Sequence, residues 1–323
     1  MSKIWNEHYH RLKSEIHFLI FKLIKHSVKT AVDVLHTEGF IMLIRKFFRY
    51  YFWSIFFTPL IMWKSKKITG DTPIDTLVDF VLSDNYGVLR SGQVRSEITK
   101  FLSIVQKMKP QVIVEIGTAT GGTLFTFSRI LNPTGTLISI DLPYGRFGGG
   151  YHVWRIPFYK SFVSKHQKIF LLRSDSHTKS TFNTFKQIVN KLPIDMLFID
   201  GDHSYEGVKK DFEMYSLFVR KGGIIAFHDI ADHNRLDGCD VDLYWEETKR
   251  KYKFQEIIGK DNIGWGGIGV IFKQTSHYLQ IGDRDDKLPT LFAEFLVFFD
   301  DFFCKIPRQK QCIVGSIGDQ VCF

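Results

Sequence analysis

The sequence predicts an α/β protein. It should form a doubly wound, mostly parallel sheet, with a basic helical extension before it and a C-terminal tail after it. Three observations carry this expectation. Between about residues 88 and 273, short apolar runs alternate with stretches of helical period, as parallel strands joined by helical crossovers require. Four successive strand runs end on acids: Glu115, Asp141, Asp175 and Asp200. The charge is also uneven: residues 1–69 hold twelve Lys/Arg against four acids, +8 of the net +9 of the 323-residue chain.

The basic leader comes first. From about Ile16 to Phe57, apolar and basic residues mix at roughly helical spacing. A membrane-spanning helix takes roughly 20 apolar residues. The longest uncharged run here, Tyr50 to Trp63, has fourteen and contains Pro59, with Arg45, Lys46 and Arg49 before it and Lys64, Lys66 and Lys67 after it. Aromatics beside cations suit a helix lying on an anionic membrane surface. The same aromatic face could instead pack on the catalytic body or on a second subunit of a homo-oligomer. "TGDTP" at 69–73 reads as a linker, which divides the chain into a leader (1–69), a body (70–273) and an extension (274–323).

Within the body, a helix is expected around 96–107 and a strand at 112–116. A helix near 123–131 and a strand at 137–140 follow. After the Gly-rich 142–159 stretch come a helix near 159–165, a strand at 169–172 and a helix over 180–191. "IDMLFID" is the next strand, "SYEGVKKDFEMYSLFV" a helix and "GGIIAFHD" a strand, with two late strands near 254–258 and 267–272. "FAEFLVFFDDFFCKI" in the extension could be a helix, and no function is assigned to 274–323.

Composition excludes some classes. Outside the leader the chain is nearly neutral, which argues against a nucleic-acid groove in the body. Cys239, Cys304, Cys312 and Cys322 form no CxxC pair or zinc spacing, so a reduced intracellular protein is expected. The N-terminus shows no short apolar core followed by a small-residue cleavage site, so no secretory signal is expected.

The cofactor signal lies in "VIVEIGTATGGTLFTFSRI". Apolar residues deliver Glu115, then Gly117, Gly121 and Gly122, then a helix whose N-terminus offers free N–H groups. The spacing is not GxGxxG, and Glu115 suits a ligand with a cationic amino-acid end better than a pyrophosphate. Asp141 is placed to accept the hydroxyls of a ribose, and Asp175 to meet an adenine amino group.

With those residues in view, the chain resembles the class I S-adenosylmethionine-dependent methyltransferases. It is most similar to the branch of so-called cephalosporin hydroxylases and macrolide-sugar O-methyltransferases. "VEIGTATGGTLF", "ISIDLPYGRFGGGY", "RSDSH", "FIDGDHSYEGVKKDFEMYSLFVRKGGIIAFHD" and "GWGGIGVIF" carry the resemblance, over about residues 88–273. It implies a Rossmann-like fold and S-adenosyl-L-methionine as cofactor, held by Glu115, Gly117, Thr118, Gly121, Gly122, Asp141, Asp175 and Ser176. It also implies a divalent metal, Mg2+ or Mn2+, on Asp200, His228 and Asp229, with His203 as general base. In the family the position of His228 is commonly Glu, so one imidazole replaces a carboxylate and tilts the site towards manganese or another borderline metal.

Simpler roles exist for these residues. His203 or Asp202 could cap the next helix, His228 and Asp229 could be loop polars, and Asp202 could hold His203. In the 142–159 stretch, Tyr151, Trp154 and Arg155 could stack on a sugar or meet an anion; a structural loop fits equally. The 232–249 stretch could form the opposite wall, with Trp245 in the core.

The expected activity is therefore methyl transfer to a sugar hydroxyl of a glycan at the cytoplasmic face of a membrane. A soluble small-molecule acceptor, with the leader serving dimerisation, is the nearest alternative. A nicotinamide-dependent sugar oxidoreductase would need GxGxxG. A non-catalytic membrane-docked scaffold would not need Glu115, Asp141, Asp200, His203 and Asp229 together.

Overall fold

The computed structural model describes residues 54–147, 150–190, 192–232, 238–259 and 265–274. All of these described residues fall in one unit of the chain. The expected helices of residues 1–53 and the extension from 275 onward lie outside the described residues.

Seven strands form one sheet in the order β3-β2-β1-β4-β5-β7-β6. They are β1 (Val112–Ile116), β2 (Thr136–Ile140), β3 (Lys168–Leu172), β4 (Ile194–Ile199), β5 (Val219–His228), β6 (Lys253–Ile257) and β7 (Ile268–Phe272). The first five pair in parallel, while β7 runs antiparallel to both β5 and β6. The sheet is thus mostly parallel and has the Rossmann-like methyltransferase topology.

Side chains alternate along the central strands and feed two apolar layers. Ile113, Leu137, Met196, Phe198 and Ile224 pack with helices α2 (Ile74–Leu82), α3 (Arg95–Lys107) and α4 (Gly122–Ile130). Val114, Ile138, Leu197, Ile225 and Phe227 pack with α6 (Lys179–Val189), α7 (Tyr205–Tyr215) and α8 (Val241–Lys249). Covered on both faces, the strands read as continuous apolar runs, as buried parallel strands do. From β1 the chain moves outward to β2 and β3, then returns to β4 on the other side. This reversal opens a crevice at the carboxyl ends of β1 and β4.

Two local expectations change. The helix expected near 159–165 is α5 (Ile156–Lys160), because Pro157 occupies its first turn, where no N–H is needed. The Ser161 N–H then closes the helix on the Pro157 and Phe158 carbonyls. None of the described residues in the 232–249 stretch, expected as a wall, lines the crevice; the stretch contains α8. There Trp245 is fully buried and donates from Nε1 to Glu256 Oε1 at 2.7 Å.

Helix α1 (Ser54–Ser65) is the described end of the leader. Ile61 is buried in the same layer as α2 and α3, Phe57 stacks on Tyr86 at 3.9 Å, and Arg129 donates to the Ser65 carbonyl at 3.3 Å. Ile55, Phe56 and Trp63 remain 56%, 66% and 56% exposed. Among the described residues, no helix is long and apolar enough to cross a membrane.

Buried Glu97 of α3 fastens the far end of the sheet, accepting the N–H groups of Gly259 and Gly267 at 2.7 Å each. Glu97→Ala strands these donors and is expected to cost about 3 kcal/mol. A lower urea midpoint at unchanged slope would report this loss.

Candidate active site

The crevice is a cavity of about 750 Å³ at the carboxyl ends of β1, β2, β4 and β5. Its floor comprises Gly117–Thr120, Asp141, Asp175–His177, Asp200–Ser204, His228 and Asp229. Arg146, Phe147 and Trp265 stand on other parts of its wall.

The loop after β1 is folded by close backbone contact. Gly117 has φ +89°, and a Cβ there would lie 1.8 Å from the Asp200 carbonyl oxygen. At Gly122 a Cβ would meet the Arg90 backbone at 2.3 Å. These glycines therefore admit neighbouring protein backbone, and neither Gly121 nor Gly122 lies on the cavity wall. Asp141 ties the loop from the next strand. Its Oδ1 accepts from the N–H of Thr118 at 2.9 Å and of Ala119 at 3.4 Å, and its Oδ2 from Tyr151 N–H at 2.9 Å. Burial raises the Asp141 carboxyl above its ordinary range, against these N–H donors.

Glu115 lies beneath the loop, fully buried, and does not reach the cavity wall. Its Oε2 accepts from Thr118 Oγ1 at 2.6 Å, and Thr118 also bonds Ser139 Oγ at 2.7 Å. Burial lifts the Glu115 carboxyl well above the ordinary range despite that hydrogen bond.

Asp175 and Ser176 follow β3 on the cavity wall. Asp175 Oδ1 accepts the His177 N–H at 2.8 Å, and the Ser176 carbonyl accepts from Tyr215 Oη at 2.7 Å. His177 Nε2 lies 3.1 Å from Asp211 Oδ1 on α7.

The ends of β4 and β5 bring two carboxylates and two imidazoles together. Asp200 Oδ1 lies 3.3 Å from His203 Nε2 and 3.2 Å from His228 Nδ1, and Gln93 Nε2 donates to its Oδ2 at 3.1 Å. Asp229 sits across from it, with Oδ2 3.2 Å from His203 Nδ1 and Oδ1 3.2 Å from His228 Nδ1. Asp229 adopts φ +61°, rare for a residue bearing a Cβ and typical of strain held at functional positions. Phe147 stacks on the His203 ring at 4.9 Å.

Burial works to lower the His203 pKa. Hydrogen bonds to Asp200 and Cys239 and the charges of Asp200 and Asp229 overcome it and lift the value to about 10. His228 is raised well above its usual value by Asp200 and Asp229 against burial. Both carboxyls are lowered in return: desolvation raises them, but the charges and hydrogen bonds of the imidazoles together outweigh it. One ligand atom each from Asp200, His228 and Asp229 lie within 4.8 Å of one another, a spread that a small cation can draw together.

The family described as "Methyltransferase domain" matches residues 114–230, the span from β1 through the end of β5. Over this segment the chain is similar to a methyltransferase domain. A 48-residue stretch, 14% of the chain, is 52% identical to uncharacterized protein R132 of Acanthamoeba polyphaga mimivirus and covers 22% of it. Over 172 residues, 50% of the chain, it is 27% identical to uncharacterized protein y4gI of Sinorhizobium fredii, covering 18% of that protein. The chain thus spans about a fifth of the length of these curated relatives. An O-methyltransferase from Bacillus cereus, solved with SAH, is similar at TM-score 0.42 and 18% identity, over 61% of this chain and 91% of that one.

Several residues take places other than those expected. Asp202 does not hold His203; its Oδ1 accepts from Ser204 N–H and Oγ at 3.0 and 2.7 Å. Ser204, and neither Asp202 nor His203, is the N-cap of α7. Tyr151 is buried, and Arg155 is spent inside, donating to the Val88 and Gly87 carbonyls at 2.6 and 3.2 Å. Arg146 and Phe147 of the same loop line the cavity instead. Gln93, Cys239 and the His177–Asp211 pair join the site without any spacing that announces them.

Two expectations follow from this geometry. Gly117→Ala forces Cβ into the Asp200 backbone at a positive φ, and should weaken S-adenosylmethionine binding more than tenfold in calorimetric titration. The Asp211 hydrogen bond raises the His177 pKa above 6.5, against burial. The pair's contribution to stability should therefore be present below pH 6.5 and be lost as pH rises through the folded-state value. The difference in unfolding free energy between the native chain and His177→Gln should shrink between pH 6 and 9.

Proposed function

We propose that this chain is an O-methyltransferase that moves the methyl group of S-adenosylmethionine to a sugar hydroxyl, assisted by a divalent cation. The observation that carries this reading is His203, held between Asp200 and Asp229 at the crevice floor, beside the loop of Gly117–Thr120.

In this reading the loop receives the methionine end of the cofactor. Asp141 Oδ2, with one backbone donor, retains acceptor capacity for a ribose hydroxyl. Asp175 and Ser176 bound the adenine end. Glu115 acts from below by fixing Thr118. The acceptor hydroxyl lies against His203, which in its neutral form takes the proton as the oxygen attacks the methyl carbon; the C–O bond forms as the S–CH3 bond breaks, leaving the thioether. Phe147 offers a stacking face to the sugar. The crevice supplies alignment and excludes water, since the sulfonium already provides the driving force.

Two carboxylates and one imidazole suit Mg2+ or Mn2+. When bound, such a cation would lower the pKa of a chelated hydroxyl and offset the carboxylate charge that holds His203 protonated.

A membrane setting is supported by α1, where exposed Ile55, Phe56 and Trp63 adjoin Lys64, Lys66 and Lys67. The leader would rest on an anionic leaflet at the cytoplasmic face, near glycan assembly.

Calorimetry with S-adenosylmethionine tests the cofactor assignment: Asp141→Ala is expected to lose at least tenfold in affinity. His203→Gln should keep cofactor affinity and lose about 10²–10⁴ in turnover on a sugar acceptor. Retained turnover in His203→Gln would sink the mechanism. Chelation should suppress turnover and leave cofactor affinity unchanged, with Mn2+ restoring activity at least as well as Mg2+.

A further inference from the structure

We propose that His203, Asp229 and Cys239 form a second metal site, selective for a thiophilic ion of the zinc class, which shares Asp229 with the Asp200–His228–Asp229 group. One ligand atom from each of the three lie within 4.8 Å of one another. The set contributes nitrogen, oxygen and sulfur, whereas the neighbouring group offers only nitrogen and oxygen. Thiolate ligands select zinc over magnesium or manganese.

The local chain is built to hold this arrangement. Cys239 is the one cysteine among the described residues, lies in no disulfide and is 8% exposed. Its side chain hydrogen-bonds His203. The N–H of Asp240, the next residue, donates to the His203 carbonyl at 2.8 Å, so the backbone of the cysteine segment is fastened to that of the histidine. Gly238 takes φ +67° just before it. Asp229 is turned between the two groups by its left-handed backbone. His203 Nδ1 and Asp229 Oδ2 stand 3.2 Å apart, close to the roughly 3.3 Å edge of a zinc tetrahedron with bonds of about 2.0–2.1 Å. Three protein ligands leave the fourth position open to solvent. On binding, the Cys239 thiol releases its proton to water.

The consequence rests on the proposed function. Zinc at this site occupies the same imidazole that would take the acceptor's proton, so it acts as an inhibitor and not as the activating cation.

The test uses the full chain carrying Cys304→Ser, Cys312→Ser and Cys322→Ser, so that Cys239 is the sole thiol, loaded with one equivalent of Zn2+. X-ray absorption at the zinc edge is expected to show one sulfur neighbour at about 2.3 Å. Cys239→Ser should remove that neighbour and weaken zinc binding at least tenfold, whereas Asp200→Asn should keep it. Zinc bound entirely by nitrogen and oxygen, or not retained by the folded chain, would overturn the site. The spectrum of the chain retaining Cys239 decides alone if Cys239→Ser does not fold. Because it reads occupancy without any acceptor, it stands even if methyl transfer to a sugar fails. Inhibition by zinc, relieved at least tenfold in Cys239→Ser, forms the separate arm.

Discussion

The contact between Gly117 and the Asp200 carbonyl is the constraint on which the site depends. β1 and β4 are sequence-distant but adjacent, and their pairing continues past the strands, where Asp200 N–H donates to the Ile116 carbonyl at 2.8 Å. The two loops therefore start from nearly touching backbones. One turns away to line one side of the cavity and the other presents the acid and imidazole cluster. Any side chain at 117 would force the two loops apart.

The cluster itself is a balance of opposite charges. Burying either carboxylate alone would be costly, and so would either imidazolium. Together they compensate one another, which is why Asp200 and Asp229 stay ionised while His203 and His228 hold their protons. Such a group is poised for exchange: a dication can replace two protons without changing the net charge of the crevice.

Much of the fold was legible because buried parallel strands leave continuous apolar runs and each crossover returns with helical period. The acids at strand ends were equally visible, since Asp141, Asp175 and Asp200 each close an apolar run. What could not be read was direction. Glu115 has the same sequence context as Asp141, yet it points under its loop while Asp141 reaches the wall. That difference is fixed by Thr118 and Ser139, which sequence spacing does not bring together. Tyr151 and Arg155 read as sugar contacts because they sit in a glycine-rich loop. Their places are set by the carbonyls of Gly87 and Val88 and by core packing, long-range contacts with no periodic trace. Cys239 belongs to the site through its side-chain hydrogen bond to His203, 36 positions earlier, and through the backbone bond of its neighbour Asp240 to the same residue.

The order of the last strands bears on how the domain is made. β7 is the final strand in the chain, yet it is inserted between β5 and β6. Until Ile268–Phe272 emerges from the ribosome, β6 has no partner in the sheet, and the Glu97 carboxylate waits for a donor 170 residues downstream. Closure is thus a late event of high contact order, and a chain interrupted before β7 lacks an interior strand of its sheet. The nascent domain would expose two strand edges, where a truncated edge strand would leave only one.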